Sequence, residues 1–154
     1  MLTEKSLKTI EEIRKRYPAA RAALLPVLWI AQEQEGWISE PMMKEIAALL
    51  DVPVAHVMGV VSFYTMFNME KKGKYHIQVC TNVSCQLLGG EKIFEYISKK
   101  INCPKGGTTT DGLFSLDEVE CLGSCGTAPM MQVNDDYYEN LTTESIDTLL
   151  ARMK

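Results

Sequence analysis

Apolar residues recur every three or four positions through the first half of the chain, and alternate with polar ones only beyond residue 74. Over residues 6–17, Leu7, Ile10 and Ile13 stand among charged neighbours and Pro18 closes the run, so the spacing predicts an amphipathic helix. Residues 19–34 are strongly apolar through Leu24, Leu25, Val27, Leu28 and Ile30, with Gly36 as a stop. Ser39-Glu40-Pro41 has the form of an N-cap with proline in the first turn. It opens a helix running to Leu50, with Met42, Ile46, Leu49 and Leu50 on one face. Asp51-Val52-Pro53 punctuates, and residues 54–63 form a fourth helical segment. These stripes read as the core of a small helical bundle.

The pattern changes at Glu70-Lys71-Lys72-Gly73-Lys74, a charged, glycine-bearing stretch. It is taken as a boundary, dividing the chain into domains 1–72 and 73–154. Residues 75–79 alternate like a strand that ends at Cys80. Residues 88–101 predict a helix with Ile93, Phe94, Ile97 and Ile101 on its apolar face, and 105–112 a glycine- and threonine-rich loop. Residues 113–119 read as a strand leading to Cys121. Residues 130–133 and 136–138 read as a hairpin around Asn134-Asp135. Residues 143–153 read as a closing helix with Ile146, Leu149 and Leu150 inward. The order strand, helix, strand, strand, strand, helix makes the chain α+β, a helical part followed by an α/β part. In such open sheets, strand ends and their connecting loops are where ligands bind.

Four of the five cysteines stand at two such places, as Cys80-x4-Cys85 and Cys121-x3-Cys125. Four thiolates are what a small iron–sulfur cluster needs. The residues around the second pair, Cys121-Leu122-Gly123-Ser124-Cys125-Gly126-Thr127-Ala128-Pro129, are small. They leave room for a bulky inorganic core and let backbone N–H groups point at its sulfurs. Candidate donors lie near Val83, Ser84, Gly123 and Gly126. Two disulfides would leave Cys103 over, and the charged N-terminus, MLTEKSLKTIEEIRKRYP, carries no apolar export signal. A thioredoxin-type dithiol would need C-x-x-C, and the common [4Fe–4S] run packs its cysteines more tightly. Structural zinc remains an alternative, with Cys80-x4-Cys85 at the edge of zinc-knuckle spacing. It would make the chain a zinc-stabilised interaction module. Zinc usually folds a core-poor unit, however, and 46% of this chain is hydrophobic.

Composition narrows the partners. A formal net charge of −4 argues against nucleic acid. The longest apolar stretch, residues 22–31, contains Pro26 and falls well short of the roughly 20 residues of a membrane span, so no direct membrane insertion is expected.

Three segments, VECLGSCGTAPMMQVND, VCTNVSC and GVVSFYTMF, together resemble the thioredoxin-like [2Fe–2S] subunit of NADH-oxidising complexes, over nearly the whole chain. This is the small subunit of the NADH module of respiratory complex I. Homologous subunits serve NAD(P)-linked hydrogenases, including electron-bifurcating ones, and some formate dehydrogenases. The resemblance implies a thioredoxin-like domain with a mixed sheet, lacking the dithiol, behind a helical docking bundle. It implies one [2Fe–2S] cluster held by Cys80, Cys85, Cys121 and Cys125. The expected pairing puts Cys80 with Cys85 on one iron and Cys121 with Cys125 on the other. It further implies a larger flavoprotein partner that carries FMN and binds NAD(H), and further iron–sulfur subunits of the same complex. The location it implies is cytoplasmic, peripheral to the membrane through that complex.

The function expected from this is a one-electron carrier beside a flavin, an electron-transfer subunit of an oxidoreductase without catalysis of its own. The chain has no glycine-rich dinucleotide fingerprint; Leu88-Gly89-Gly90 and Lys105-Gly106-Gly107 are isolated glycine pairs. The two histidines, His56 and His76, read as structural or exposed, and Ser124 and Thr127 as loop residues. Phe63, Tyr64, Met66 and Phe67 are read either as packing between the two halves or as interface residues.

Overall fold

In the computed structural model, which describes residues 1–153, the chain forms two compact units, Met1–Lys71 and Lys72–Lys154. The first is helical. Helix α1 (Glu4–Arg14) starts where Thr3 Oγ1 accepts the Ser6 N–H at 3.2 Å, which satisfies one of the donors a helix leaves unpaired at its start. A 3₁₀ turn (Ala20–Ala23) precedes α2 (Leu24–Glu35). Sequence periodicity predicts one helix over 19–34, and Pro26 explains the division. Proline has no N–H to donate and is tolerated only in the first turn, so the α-helix starts just ahead of it. Gly36, at φ 79°, closes α2 in the left-handed conformation that glycine adopts freely. Ser39 caps α3 (Glu40–Leu50), and α4 spans Val54–Phe63. Ile10, Val27, Leu28, Ile38, Ile46 and Val57 are fully buried among these helices. The amide of Gln32 ties the chain after α4 to α2: its Nε2 donates to the Met66 carbonyl at 2.8 Å, and its Oε1 accepts the Asn68 N–H at 2.6 Å. Phe67 is thereby buried, edge-on to Trp29, whereas Phe63 is 76% exposed.

The second unit is built on a mixed sheet with strand order β2-β3-β1-β4-β5 among the described residues. Strand β1 (Tyr75–Cys80) runs parallel to β3 (Phe114–Val119) and antiparallel to β4 (Met131–Val133). The two-residue β2 (Gly107–Thr108) pairs with β3, and β5 (Asp136–Tyr138) with β4. Strand β2 falls within the predicted 105–112 loop; two residues are too few to show alternation. The helices are α5 (Val83–Leu87), α6 (Gly90–Ile101) and α7 (Thr143–Arg152). A reciprocal Thr142–Ser145 capping box opens α7. Ile77, Val79, Leu116 and Met131 pack with Ile97 of α6 and Ile146 of α7 in one core. Strand parity puts His76, Gln78 and Cys80 on the opposite face of β1 from Ile77 and Val79. Among the described residues no helix is long and apolar enough to cross a membrane.

The entry to β1 is pinned to β3. The Gly73 N–H donates to Ser115 Oγ at 2.6 Å, and a Cβ on Gly73 would lie 2.6 Å from the Phe114 carbonyl carbon, so only glycine fits. Asp117 Oδ2 accepts from His76 Nε2 at 2.6 Å and from Lys72 Nζ at 2.7 Å. These partners, His76 above all, hold the Asp117 carboxyl down to about 2 from its usual 3.8. A carboxyl whose folded pKa is depressed stabilises the fold above its unfolded pKa, and that contribution fades as pH falls through the folded value. Allowing for solvent screening, Asp117→Ala is expected to cost about 1 kcal/mol at neutral pH. The difference from the unsubstituted protein should vanish between about pH 4 and pH 2. Urea unfolding midpoints measured across that range check this; a difference that persists at the acid end would contradict it.

Candidate metal centre

Strand order creates the site. Because β1 lies between β3 and β4, the connection from the end of β3 to the start of β4 must pass over the carboxyl end of β1. Cys80, the last residue of β1, is paired with Val119 of β3, two residues before Cys121. Its N–H donates across to the Met130 carbonyl at 3.2 Å, and the Thr81 N–H donates to the Val119 carbonyl at 3.2 Å. The small-residue loop bearing Cys121 and Cys125 is the segment that makes this crossing.

The thiols fall into two environments. Cys80 and Cys85 are buried with Met130, packed by Leu122 and Ala128. Cys85 lies inside α5, a single turn capped by Asn82, just ahead of α6. The predicted start of the next helix at residue 88 accordingly moves to Gly90. Burial, and after it a hydrogen bond to Cys80, push the Cys85 thiol up to about 11; Cys125 lies close enough to add to the same effect. Cys121 and Cys125 are exposed. The Gly123 N–H, one of the donors expected from the sequence, points at Cys121 Sγ at 3.3 Å. Gly123 has φ 78°, a left-handed bend natural to glycine. Among the described residues no cysteine is in a disulfide, and no three His, Cys, Asp or Glu side chains are gathered tightly enough to enclose a metal ion. The structure therefore brings Cys80 and Cys85 together, sets Cys125 within electrostatic reach of Cys85, and leaves Cys121 outward on its Gly123 donor.

Cys103 stands elsewhere, buried in the core between the sheet and its helices, with its Sγ 3.6 Å from the Pro104 carbonyl. Burial raises its thiol pKa. His76 binds Asp117, and among the described residues no hydrogen bond or ion pair joins it to a cysteine. Three contributors escape sequence reasoning because their role arises only on folding: Gly90, Tyr137 and Glu139. A Cβ on Gly90 would meet the carbonyl oxygens of Cys80 at 2.8 Å and Cys85 at 2.9 Å. The start of α6 thus presses on the backbone of both buried cysteines. Tyr137 Oη donates to the Leu122 carbonyl at 2.9 Å from the neighbouring hairpin.

The donor set suits a thiophilic group. Four sulfur ligands select zinc, copper(I) or an iron–sulfur cluster over hard cations. The loop beside Cys121 and Cys125 is open to solvent, since added Cβ atoms on the exposed Gly123 and Gly126 would meet nothing within 4 Å.

Residues 10–154 match the thioredoxin-like [2Fe-2S] ferredoxin family, and the chain belongs to it. It is similar to an NADH-quinone oxidoreductase subunit of Rickettsia felis, with 44% identity over 96% of this chain and 90% of that protein. A second NADH-quinone oxidoreductase subunit, from Thermus thermophilus, is 44% identical over 94% of this chain and 82% of its own length. Among solved structures, an NAD+-reducing [NiFe]-hydrogenase in the H2-reduced state aligns with a TM-score of 0.77 and 20% identity. That alignment covers 89% of this chain but only 23% of the hydrogenase chain, and it shows the shared fold alone. Residues 10–154 fall within the family that the cysteine spacing and its flanking segments suggested, and the α+β fold with a mixed sheet is the one that resemblance implied.

The close approach at Gly90 makes a direct prediction. Gly90→Ala must displace backbone, at a cost of about 1–3 kcal/mol. It should also disturb Cys80 and Cys85 while leaving Cys121 and Cys125 alone. Chemical denaturation, together with mass-spectrometric mapping of alkylated cysteines, tests this. Unchanged protection of Cys80 and Cys85 would contradict the packing argument.

Proposed function

We propose that the chain holds one [2Fe–2S] cluster on Cys80, Cys85, Cys121 and Cys125. It would serve as the one-electron carrier of a complex I-type NADH dehydrogenase, seated beside the flavoprotein subunit that binds FMN and NAD(H). The observation that carries this reading is the loop of residues 121–129, which takes two exposed thiols over the strand end where two buried thiols meet. The NADH-quinone oxidoreductase relatives, similar along nearly their whole length, support the assignment to that kind of complex. The helical unit would then be a docking element toward the flavoprotein, and membrane association would be peripheral, through partner subunits.

Bound there, the cluster supplies one-electron chemistry alongside a flavin that accepts hydride. The chain's own residues do the rest. Cys80 and Cys85, sealed by Met130 and Leu122, keep water from one side of the site. The Gly123 N–H, aimed at Cys121 Sγ, offers a hydrogen bond of the kind that stabilises added negative charge on sulfur. Cys85, protonated at neutral pH when free, gives up that proton on binding, so loading of the site is coupled to proton release.

Anaerobically prepared protein is expected to carry about two irons and two acid-labile sulfides per chain. Alanine at Cys80, Cys85, Cys121 or Cys125 should abolish or badly destabilise the cluster. Cys103→Ala should keep it, because that thiol is buried in a different core. One zinc and no labile sulfide, or a cluster lost only in Cys103→Ala, would overturn the assignment. Electron paramagnetic resonance should show the isolated subunit reduced by dithionite but not by NADH, with NADH becoming effective once the flavoprotein is added. Prompt reduction of the lone subunit by NADH would refute the division of roles.

A further inference from the structure

The loop that carries Cys121 and Cys125 buries little apolar surface of its own. Both cysteines, Gly123 and Gly126 are exposed. Leu122 and Ala128 pack on the buried cysteines; the rest of the loop is held by hydrogen bonds, one from Tyr137 of β5 and others from the segment just after it. Glu139 Oε1 accepts from Thr127 Oγ1 at 2.7 Å and also from the Ser124 hydroxyl. Ser124 and Thr127 flank Cys125, so one carboxylate grips the turn (Cys125–Thr127) on both sides of that sulfur. The Asn140 N–H then donates to the Thr127 carbonyl at 2.8 Å, and the Leu141 N–H to the Pro129 carbonyl at 2.9 Å. The two hydroxyls hold the Glu139 carboxyl below its usual range, so it is charged at neutral pH.

We propose that Glu139 is a positioning residue of the iron–sulfur site. Its carboxylate fixes the turn that presents Cys125, and its charge lowers the reduction potential there. This rests on the cluster reading above. The physical basis of the second part is Coulombic: an oxidised cluster with four thiolates is already net negative, and reduction adds one electron with no charge leaving. A carboxylate bound to residues on both sides of a ligand disfavours that step. Hydrogen bonds to the sulfurs act in the opposite sense, so Gly123 and Glu139 form an opposed pair around the same loop.

Two substitutions separate the two parts. Glu139→Gln keeps an acceptor oxygen for Ser124 and Thr127 but removes the charge; Glu139→Ala removes both. The first readout is hydrogen exchange of the metal-free chain over residues 122–129, which does not depend on a cluster. Glu139→Ala should exchange about fivefold faster there, while Glu139→Gln stays near the unsubstituted rate. The second is the midpoint potential of the loaded protein by electron paramagnetic resonance titration, which should move to more positive values in both variants. Circular dichroism checks that the fold is intact. Unchanged exchange in Glu139→Ala would overturn the positioning role, and an unmoved potential in Glu139→Gln the electrostatic one. If the unsubstituted chain takes up neither iron nor labile sulfide, the cluster reading itself fails, whatever the exchange data show.

Discussion

Strand β1 lies between a parallel neighbour and an antiparallel one, and the whole site depends on that placement. A parallel partner returns the chain to the same end of the sheet, so β1 and β3 both deliver a cysteine there. The antiparallel partner β4 starts at that same end. The connecting loop therefore has to cross β1 where β1 stops. With β4 elsewhere in the sheet, Cys121 and Cys125 would be carried away from Cys80. The site thus follows from how three neighbouring strands share one end of the sheet, and the loop's small residues are what permit so short a crossing.

Around this crossing the molecule divides rigidity unevenly. Beneath it, Ile77, Val79, Leu116 and Met131 pack on α6 and α7, and the N-terminus of α6 presses on the backbone of Cys80 and Cys85 at Gly90. Above it, the loop is held by polar contacts from Tyr137 and Glu139. The lower layer is costly to deform because it is close-packed. The upper one rests on exposed hydrogen bonds, each of modest strength.

The helices and main strands were legible because they are long enough to show a period. Residues 40–50 and 54–63 announce α3 and α4 through capping residues and apolar spacing, and 75–80 announces β1 through alternation. The failures were short or locally constrained pieces. Helix α5 is one turn and β2 two residues, too brief for any period to register. Pro26 moved the start of α2 in a way a purely apolar pattern hides. At the site, paired thiols could be seen from spacing alone. What spacing could not say was that one pair would be buried and the other exposed, since that depends on which side of the crossing each occupies. Gly90, Tyr137 and Glu139 were invisible for a related reason: each touches a cysteine-bearing segment from another element, and no short motif links them.

The unequal exposure of the two thiol pairs has a consequence for traffic. With Cys80 and Cys85 sealed below and Cys121 and Cys125 open above, the site has a single face toward solvent. In the cluster-bearing role proposed above, iron donors, chelators and oxidants would all approach by the loop. The two outer sulfurs would then be the first to engage on loading and the first to be attacked on damage, while the inner pair keeps its place in the fold.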